Sequence, residues 1–418
     1  MSESIKKELD SKNNLDKRQK KLWNKNFFLL WQGQLVSSFG DSVYNIALGF
    51  WILAKTGSTG LMGGLMAAST IPRVFISPFA GTFVDRHNRK VILIVSDIIR
   101  GLAITLLGVA SYKGIVQMWM VLIGGVILGI CGSFFGPAVQ SSIPDIVPKD
   151  KLVKANSAFS MLGTGTGMLG KLSGGYLFQI LGAPFMFLIN GLSFIFSAFT
   201  EMFIKVPNTK KESSKITFMS DMKSGFQFVR KSKGIKNLYI TVAFLNFFGT
   251  ISITLLLPFF NEKIYLGAGL YGMAMTFSVA GMFVGFSMLS IINILNRFRM
   301  FILGGLISAG AMVILPFMPN VFFICILLFI NGLAVSVVNS ILQSSMQAFV
   351  PGEMRGKVFG FKKTLGTSLI PMGMATGGLM AEIIPIGFVM SGSFIIVFML
   401  FCYLYFVGAV KNLIQYNK

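Results

Sequence analysis

The chain has 418 residues, of which 54% are hydrophobic and only 12% charged, and its mean hydropathy is +0.72. Soluble domains carry about 25% charged residues, so a chain this apolar cannot present a soluble surface and reads as an integral membrane protein. A formal charge of +22 would suggest a nucleic-acid partner in a soluble protein, but here the cations lie where they orient a membrane protein.

Residues 1–26 are lysine-rich and polar, and no cleavable signal peptide follows them. They read as a solvated cytoplasmic tail. A spanning helix needs about 20 mostly apolar residues. Twelve stretches qualify: 27–54, 60–83, 91–111, 117–136, 156–181, 185–204, 238–260, 269–292, 298–317, 321–342, 358–384 and 386–408. In hydrocarbon every backbone group must be satisfied within the segment or in a closed barrel. The alternating short motifs of a barrel are absent, so the spacing predicts an all-α protein of twelve transmembrane helices.

Ionisable residues inside such spans are costly and therefore functional candidates. Span 1 carries Asp41 near its middle, and span 2 carries Arg73 directly after Pro72. A carboxylate whose cation partner changes with conformation can bind and release a proton, which makes Asp41 the candidate for proton coupling. The bland alternative is a permanent pair with Lys171 or Arg73. Between spans 2 and 3 stands Gly81-Thr-Phe-Val-Asp85-Arg86-His-Asn-Arg89-Lys90, a charge cluster at a membrane boundary. Span 3 sets Asp97 and Arg100 three apart on one face, a spacing that suits a structural pair; both also stand with Asp41, Arg73 and Lys171 as candidates for proton coupling or substrate contact, Asp97 next after Asp41.

After span 4 comes Gln140-Ser-Ser-x-x-x-x-Val147-Pro148, and after span 10 comes Gln343-Ser-Ser-x-x-x-x-Val350-Pro351. The two copies are expected in equivalent loops of a parallel six-plus-six repeat, an arrangement that binds substrate between its halves near the midplane. The halves are then 27–204 and 238–408. Span 5 contains Lys171, and span 6 ends near Glu201, which at that position is expected to reach water or headgroups. Residues 205–237 form a cytoplasmic linker in which Phe218, Met219, Met222, Phe226 and Val229 recur at helical spacing. They suit an amphipathic surface helix or a plain linker. In the second half Lys362, Lys363 and Glu382 fall near helix ends, and residues 409–418 form a C-terminal tail.

With the N-terminus inside, the cytoplasmic segments hold 31 of the 37 Lys and Arg residues. The positive-inside rule then predicts both termini in the cytoplasm, in a bacterial cytoplasmic membrane. Cys131, Cys325 and Cys402 lie in apolar runs and His87 is the only histidine, so neither a disulfide framework nor a metal site is expected. No phosphate-cradling Gly-x-x-x-x-Gly-Lys-Ser/Thr loop occurs. An enzyme would need a catalytic constellation, and none can be built.

The segment Gly81 to Lys90 resembles the loop 2–3 signature of the major facilitator superfamily, Gly-x-x-x-Asp-Arg-x-x-Arg-Lys, with Asn88 in place of a common Gly. Further features are Leu-Trp-x-Gly-Gln with Gly40-Asp41 in span 1, Phe-x-x-Pro-Ala at 134–138, Leu152-x-x-Ala155-Asn156, and Val350-Pro351 followed by Arg355-Gly356-Lys357-Val358. Together they resemble the bacterial exporter branch that contains macrolide-efflux proteins and the enterobactin exporter. Antiporters of the superfamily often carry Gly-x-x-x-Gly-Pro-x-x-Gly-Gly in span 5. Here Thr166 replaces the first Gly and Lys171 the Pro, while Gly170, Gly174 and Gly175 remain to allow close helix packing.

The resemblance implies a secondary transporter working by alternating access, driven by a proton gradient and using no cofactor. It further implies a conformational latch. Gly81, Asp85, Arg86, Arg89 and Lys90 would meet Arg355, Gly356 and Lys357 when the cytoplasmic ends of the halves close. The expected substrate is an amphipathic drug or macrolide-like molecule, handled by a monomer in the bilayer without nucleic acid. Lys171 and Arg73 keep open an anionic siderophore-like substrate or a lysolipid. A transport-inactive regulator is the reading from a different class.

Overall fold

The computed structural model describes residues 22–148, 151–205, 226–263, 267–291, 296–351, 358 and 365–415, and among these all regular structure is helical. The helices are α1 (Lys25–Thr56), α2 (Thr59–Arg86), α3 (Arg89–Tyr112), α4 (Met118–Ile146), α5 (Leu152–Met202), α6 (Lys233–Lys263), α7 (Gly267–Ile291), α8 (Arg297–Ile314), α9 (Val321–Phe349), α10 (Ile370–Ile383), α11 (Ile386–Phe406) and the short α12 (Gly408–Ile414). Eight of the helices are long and apolar enough to cross a membrane, and α1, α2 and α10 pack among them.

The breaks between helices have local causes. Asn24, Ser58, Asn88, Asn296 and Asn320 each stand just ahead of a helix and accept a backbone N–H of its first turn. That satisfies donors a helix start would otherwise leave unpaired. Asn24 also donates through Nδ2 to the Ile146 carbonyl at 2.7 Å, tying the start of α1 to the end of α4.

Inside α5 the backbone leaves the helical region at Gly182, with φ 73° and ψ 173°, two residues before Pro184. Only glycine takes up that conformation readily. The chain reverses there. The first limb runs parallel to α1, since Gly170 meets Ser42 and Gly174 meets Ile46. The second limb runs antiparallel to it, since Gly33 meets Ser197 and Thr200 while Gly40 meets Asn190 and Ser193.

The neighbour pattern of the first half recurs in the second. α2 packs on α4 as α7 packs on α9, and α3 packs on α4 as α8 packs on α9. The second limb of α5 packs on α3 as α11 packs on α8, while α6 takes the place of α1 and contacts α10 and α11. The repeated Gln-Ser-Ser segments occupy equivalent places, but in helix rather than loop. α4 extends past residue 136 to Ile146 and α9 past 342 to Phe349, both 29 residues long. Ser142 folds its hydroxyl onto the Ala138 carbonyl and Ser345 reaches that of Ile414, so both copies lie in packed helix ends. Of the linker's proposed apolar stripe, Phe218, Met219 and Met222 lie outside the described residues; Val229 is buried and Phe226 exposed.

Among the described residues the halves join mainly along two seams, α2 against α10 and the first limb of α5 against α7, with a smaller contact of α6 on α1 and α2. The close approaches gather at the end of the bundle away from Arg86, Arg89 and Lys90, here called the far end. Gly63 and Gly378 bring α2 and α10 together, Gly175 lies against Ala268 and Gly269, and Gly272 against the Lys171 carbonyl. Phe50 packs edge-on to Tyr271 at 5.8 Å between ring centroids.

The same faces behave differently toward the basic end. At 3.6 residues per turn, the α5 face that carries Gly175 continues through Thr164 and Met161, which are exposed, Met161 by 79%. The α2 face that carries Gly63 reaches Gly81 five turns on. Among the described residues nothing lies within 4 Å of where a Gly81 Cβ would stand.

Candidate functional site

Asp41 is held near the middle of α1. A Cβ at the preceding Gly40 would stand 2.5 Å from Ser193 Oγ and 2.7 Å from Asn190 Oδ1, so glycine there lets α1 lie directly on the second limb of α5. That approach sets Asp41 beside fully buried Asn190, whose Nδ2 donates to Asp41 Oδ1 at 3.4 Å. One turn along, Tyr44 buries its hydroxyl without a hydrogen-bond partner.

The permanent pair of Asp41 with Arg73 or Lys171 is not the arrangement seen. Among the described residues Asp41 forms no ion pair, and its side-chain partner is an amide. Arg73 is exposed on α2 and rests its guanidinium in the space left by Gly132, where a Cβ would stand 3.0 Å away. Lys171 is half-buried on α5, while Gly170 and Gly174 on either side of it fit against α1 and Gly175 against α7. The small-residue motif thus wedges α5 between its own half and the other one.

Asp97 and Arg100 form an ion pair within α3, and both are buried. The Arg100 guanidinium lies between two rings, 4.2 Å from the centroid of Phe135 and 4.4 Å from that of Phe194. Flat aromatic faces suit a cation that has little water around it. Glu201 does not reach water or headgroups. It is 1% exposed, because α5 continues past it to Met202 and turns it inward among α1 and α3. The Lys90 ammonium instead takes the terminal position, donating to the Met202 carbonyl at 2.6 Å.

The loop between α2 and α3 is tied down inside the first half. Asn88 caps α3 by accepting from the N–H groups of Lys90 and Val91. Arg89 pairs with Asp145 near the end of α4 and donates to the Ser141 carbonyl at 3.0 Å. His87 stacks on Phe83, with ring centroids 4.0 Å apart. Arg86 is exposed at the last position of α2. The Asp85 side chain and residues Arg355, Gly356 and Lys357 lie outside the described residues.

At the far end, one carboxylate crosses between the halves. Glu382 Oε1, on α10, accepts from Ser58 Oγ at 2.7 Å, from the Gly60 N–H at 2.8 Å and from Thr59 Oγ1 at 3.3 Å. Thr59 also donates to the Gly378 carbonyl at 3.0 Å. A carboxylate at a helix N-terminus meets unpaired N–H groups and the positive end of the dipole, so the start of α2 is capped by the opposite half. In sequence Glu382 is just an acid near a helix end. Its partner at 58–60 lies more than 300 residues away, and nothing local links the two.

The described helices thus form two similarly packed halves of a membrane-spanning bundle, joined closely at one end, with acid–amide and acid–arginine contacts held among them. The sequence profile of the Major Facilitator Superfamily matches residues 30–374, and the chain belongs to that superfamily. It is 24% identical over 390 residues to macrolide efflux protein A of Streptococcus pyogenes, covering 91% of this chain and 96% of that protein. It is 27% identical over 228 residues to the multidrug resistance protein MdtG of Escherichia coli, covering 52% of this chain and 53% of that one. Its fold is similar, at 15% identity and a TM-score of 0.73, to a bacterial homologue of the iron transporter ferroportin in an inward-facing state, over 90% of this chain and 98% of that one.

Proposed function

We propose that the protein is a proton-driven exporter of an amphipathic small molecule of the drug or macrolide kind, working by alternating access in the bacterial cytoplasmic membrane. In this reading it has twelve transmembrane helices, the two limbs of α5 counting separately, and both termini in the cytoplasm. It acts as a monomer, with the proton gradient as its energy source and no cofactor. The macrolide-efflux relative, aligned along nearly the whole chain, supports the substrate class. The excess of Lys and Arg at the basic end supports placing that end inside. The far-end seam is then the external gate, and the conformation is inward-open.

One observation carries the coupling assignment. Asp41 stands at mid-helix with an amide, not a cation, as its side-chain partner, so no fixed ion pair locks it in its ionised form. In inverted vesicles with an imposed pH gradient, the parent protein should accumulate a macrolide-like substrate. Asp41→Asn, folded and inserted, should bind that substrate without concentrating it. Full pH-driven accumulation by Asp41→Asn would remove Asp41 from the mechanism.

A second reading, an anionic siderophore-like or lysolipid substrate, is favoured by Arg73 and Lys171. Neither pairs with a carboxylate among the described residues, which leaves two cations to receive an acidic group. Competition between an anionic and a cationic amphiphile in the same vesicles separates the two readings.

A further inference from the structure

The coupling reading uses Asp41 and leaves a second acidic cluster without a role. Asp97 is 0% exposed and Glu201 1%, and among the described residues Arg100 is the one cation in an ion pair with either of them. The register between α3 and the second limb of α5 sets the cluster: Gly108 meets Leu188, Thr105 meets Gly191, and Gly101 meets Ile195. Continuing that antiparallel register puts Asp97 level with Phe199, between Ser197 and Glu201, with Glu201 the nearer of the two to the basic end. Ser197 and Glu201 share a face at i, i+4.

Three polar atoms in this cluster are buried with no hydrogen-bond partner among the described residues: Asp97 Oδ2, Ser197 Oγ and Glu201 Oε2. Buried oxygens left unmatched are rare, and a second buried carboxylate beside a single guanidinium leaves one negative charge unbalanced. A protonated carboxyl supplies a donor as well as removing that charge.

We infer that Asp97, Glu201 and Arg100 form a site for one exchangeable proton, shared between the two carboxyls and lying inside the first half, apart from the space between the halves. The same α5 face runs from Asn190 through Ser193 and Ser197 to Glu201, at helical spacing. Its upper end meets Asp41 through Asn190, and Ser193 donates to the Asn190 carbonyl at 2.7 Å. A buried row of polar groups thus leads from the proposed coupling carboxylate toward the basic end. The titratable groups that face the cluster are Asp41 on α1 and Cys131 on α4; Tyr44 and Arg73 lie beside Asp41, and the Lys90 ammonium is held by the Met202 carbonyl, next to Glu201 in the chain. None of the cations among them is an ion-pair partner of Asp97 or Glu201 among the described residues.

As the place where transport and proton flow are coupled, the site rests on the proton-driven reading above; as a proton site it does not. The test is therefore made without substrate or gradient. Infrared difference spectra are recorded on purified protein in D2O and H2O at neutral pH, in an Asp41→Asn background so that Asp41 contributes nothing. The carbonyl stretch of one protonated, deuterium-shifted carboxyl per molecule is expected. Asp97→Asn and Glu201→Gln should each abolish it, because the remaining carboxylate then pairs with Arg100 and ionises. Both single variants should stay folded, since each leaves the cluster neutral, one carboxylate against Arg100. The double variant leaves Arg100 buried alone and should lower the melting temperature below that of either single variant. No protonated carboxyl in the Asp41→Asn protein overturns the site. A band that survives either single substitution overturns the sharing. Absence of pH-driven transport by the parent protein, with this band present in the Asp41→Asn protein, would count against the exporter reading and leave the proton site standing.

Discussion

The seam between Gly63 and Gly378 makes the conformational equilibrium testable with a single methyl group. A Cβ on Gly378 would stand 2.5 Å from the Thr59 carbonyl oxygen and 3.2 Å from Gly63 Cα. A Cβ on Gly63 would overlap the Met374 carbonyl oxygen and lie 3.1 Å from Gly378 Cα. The obstacles are backbone atoms of the opposite half, which no rotamer change can move aside. Gly63→Ala therefore forces α2 and α10 apart at the far end, and overpacking of this kind costs about 1–3 kcal/mol. The contact exists only while that end is shut, so the cost falls on this conformation and not on its alternate. A difference of about 1–3 kcal/mol shifts an equilibrium about 5- to 150-fold, here toward the outward-open state.

Single cysteines in a background lacking Cys131, Cys325 and Cys402 report the shift. Ala268→Cys, at a position 3% exposed in the far-end seam, should label faster in the Gly63→Ala protein, and Met161→Cys, 79% exposed toward the basic end, should label more slowly. Gly378→Ala should act in the same direction. The double variant should shift labelling by less than the sum of the singles, because both methyls open one gap. Unchanged labelling in a variant that melts normally would refute the argument, since the seam would then not distinguish the two states.

Glu382→Gln keeps the shape of the far-end clasp but removes its charge. It should raise Ala268→Cys labelling by less than Gly63→Ala does, because the group is exposed and water replaces part of what is lost; no change would mean that the carboxylate does not help hold the gate. Lys171→Pro restores the residue common in antiporters, yet it removes a backbone donor in the α5 limb that lies against α7, and it should lower transport. Transport equal to or above the parent's would show the lysine to be dispensable. Asp85→Asn should raise labelling at the basic end and lower it at the far end if Asp85 latches the cytoplasmic ends in the outward-open state. Identical labelling with intact transport would reject the latch.

The sequence alone determined the class of this protein. Composition leaves no soluble surface, a rule about backbone groups in hydrocarbon leaves helices, and the density of Gly-x-x-x-Asp-Arg-x-x-Arg-Lys around Asp85 points to the superfamily. These readings rest on local pattern, which survives in one dimension. The i, i+3 relation of Asp97 and Arg100 was legible for the same reason, being contained in a single helix. The stripe of Asn190, Ser193, Ser197 and Glu201 also has helical spacing in span 6, but of it the sequence marks only Glu201, as an acid near a membrane surface, and the structure buries it.

What only the tertiary structure decided are the relations between helices. Asp41 faces Asn190 rather than Arg73 or Lys171, because Gly40 admits the second limb of α5 and not α2. Arg89, which the loop signature groups with Asp85, pairs with Asp145 on α4. Glu382 caps a helix of the other half, and Gly175 serves the seam between halves while Gly170 and Gly174 serve the packing within one. Each of these depends on which helix lies beside which and at what register. Lipid surrounds apolar helices equally well in many arrangements, so hydropathy fixes no neighbour, and the choice is made by close-packed small residues and buried polar contacts far apart in the chain.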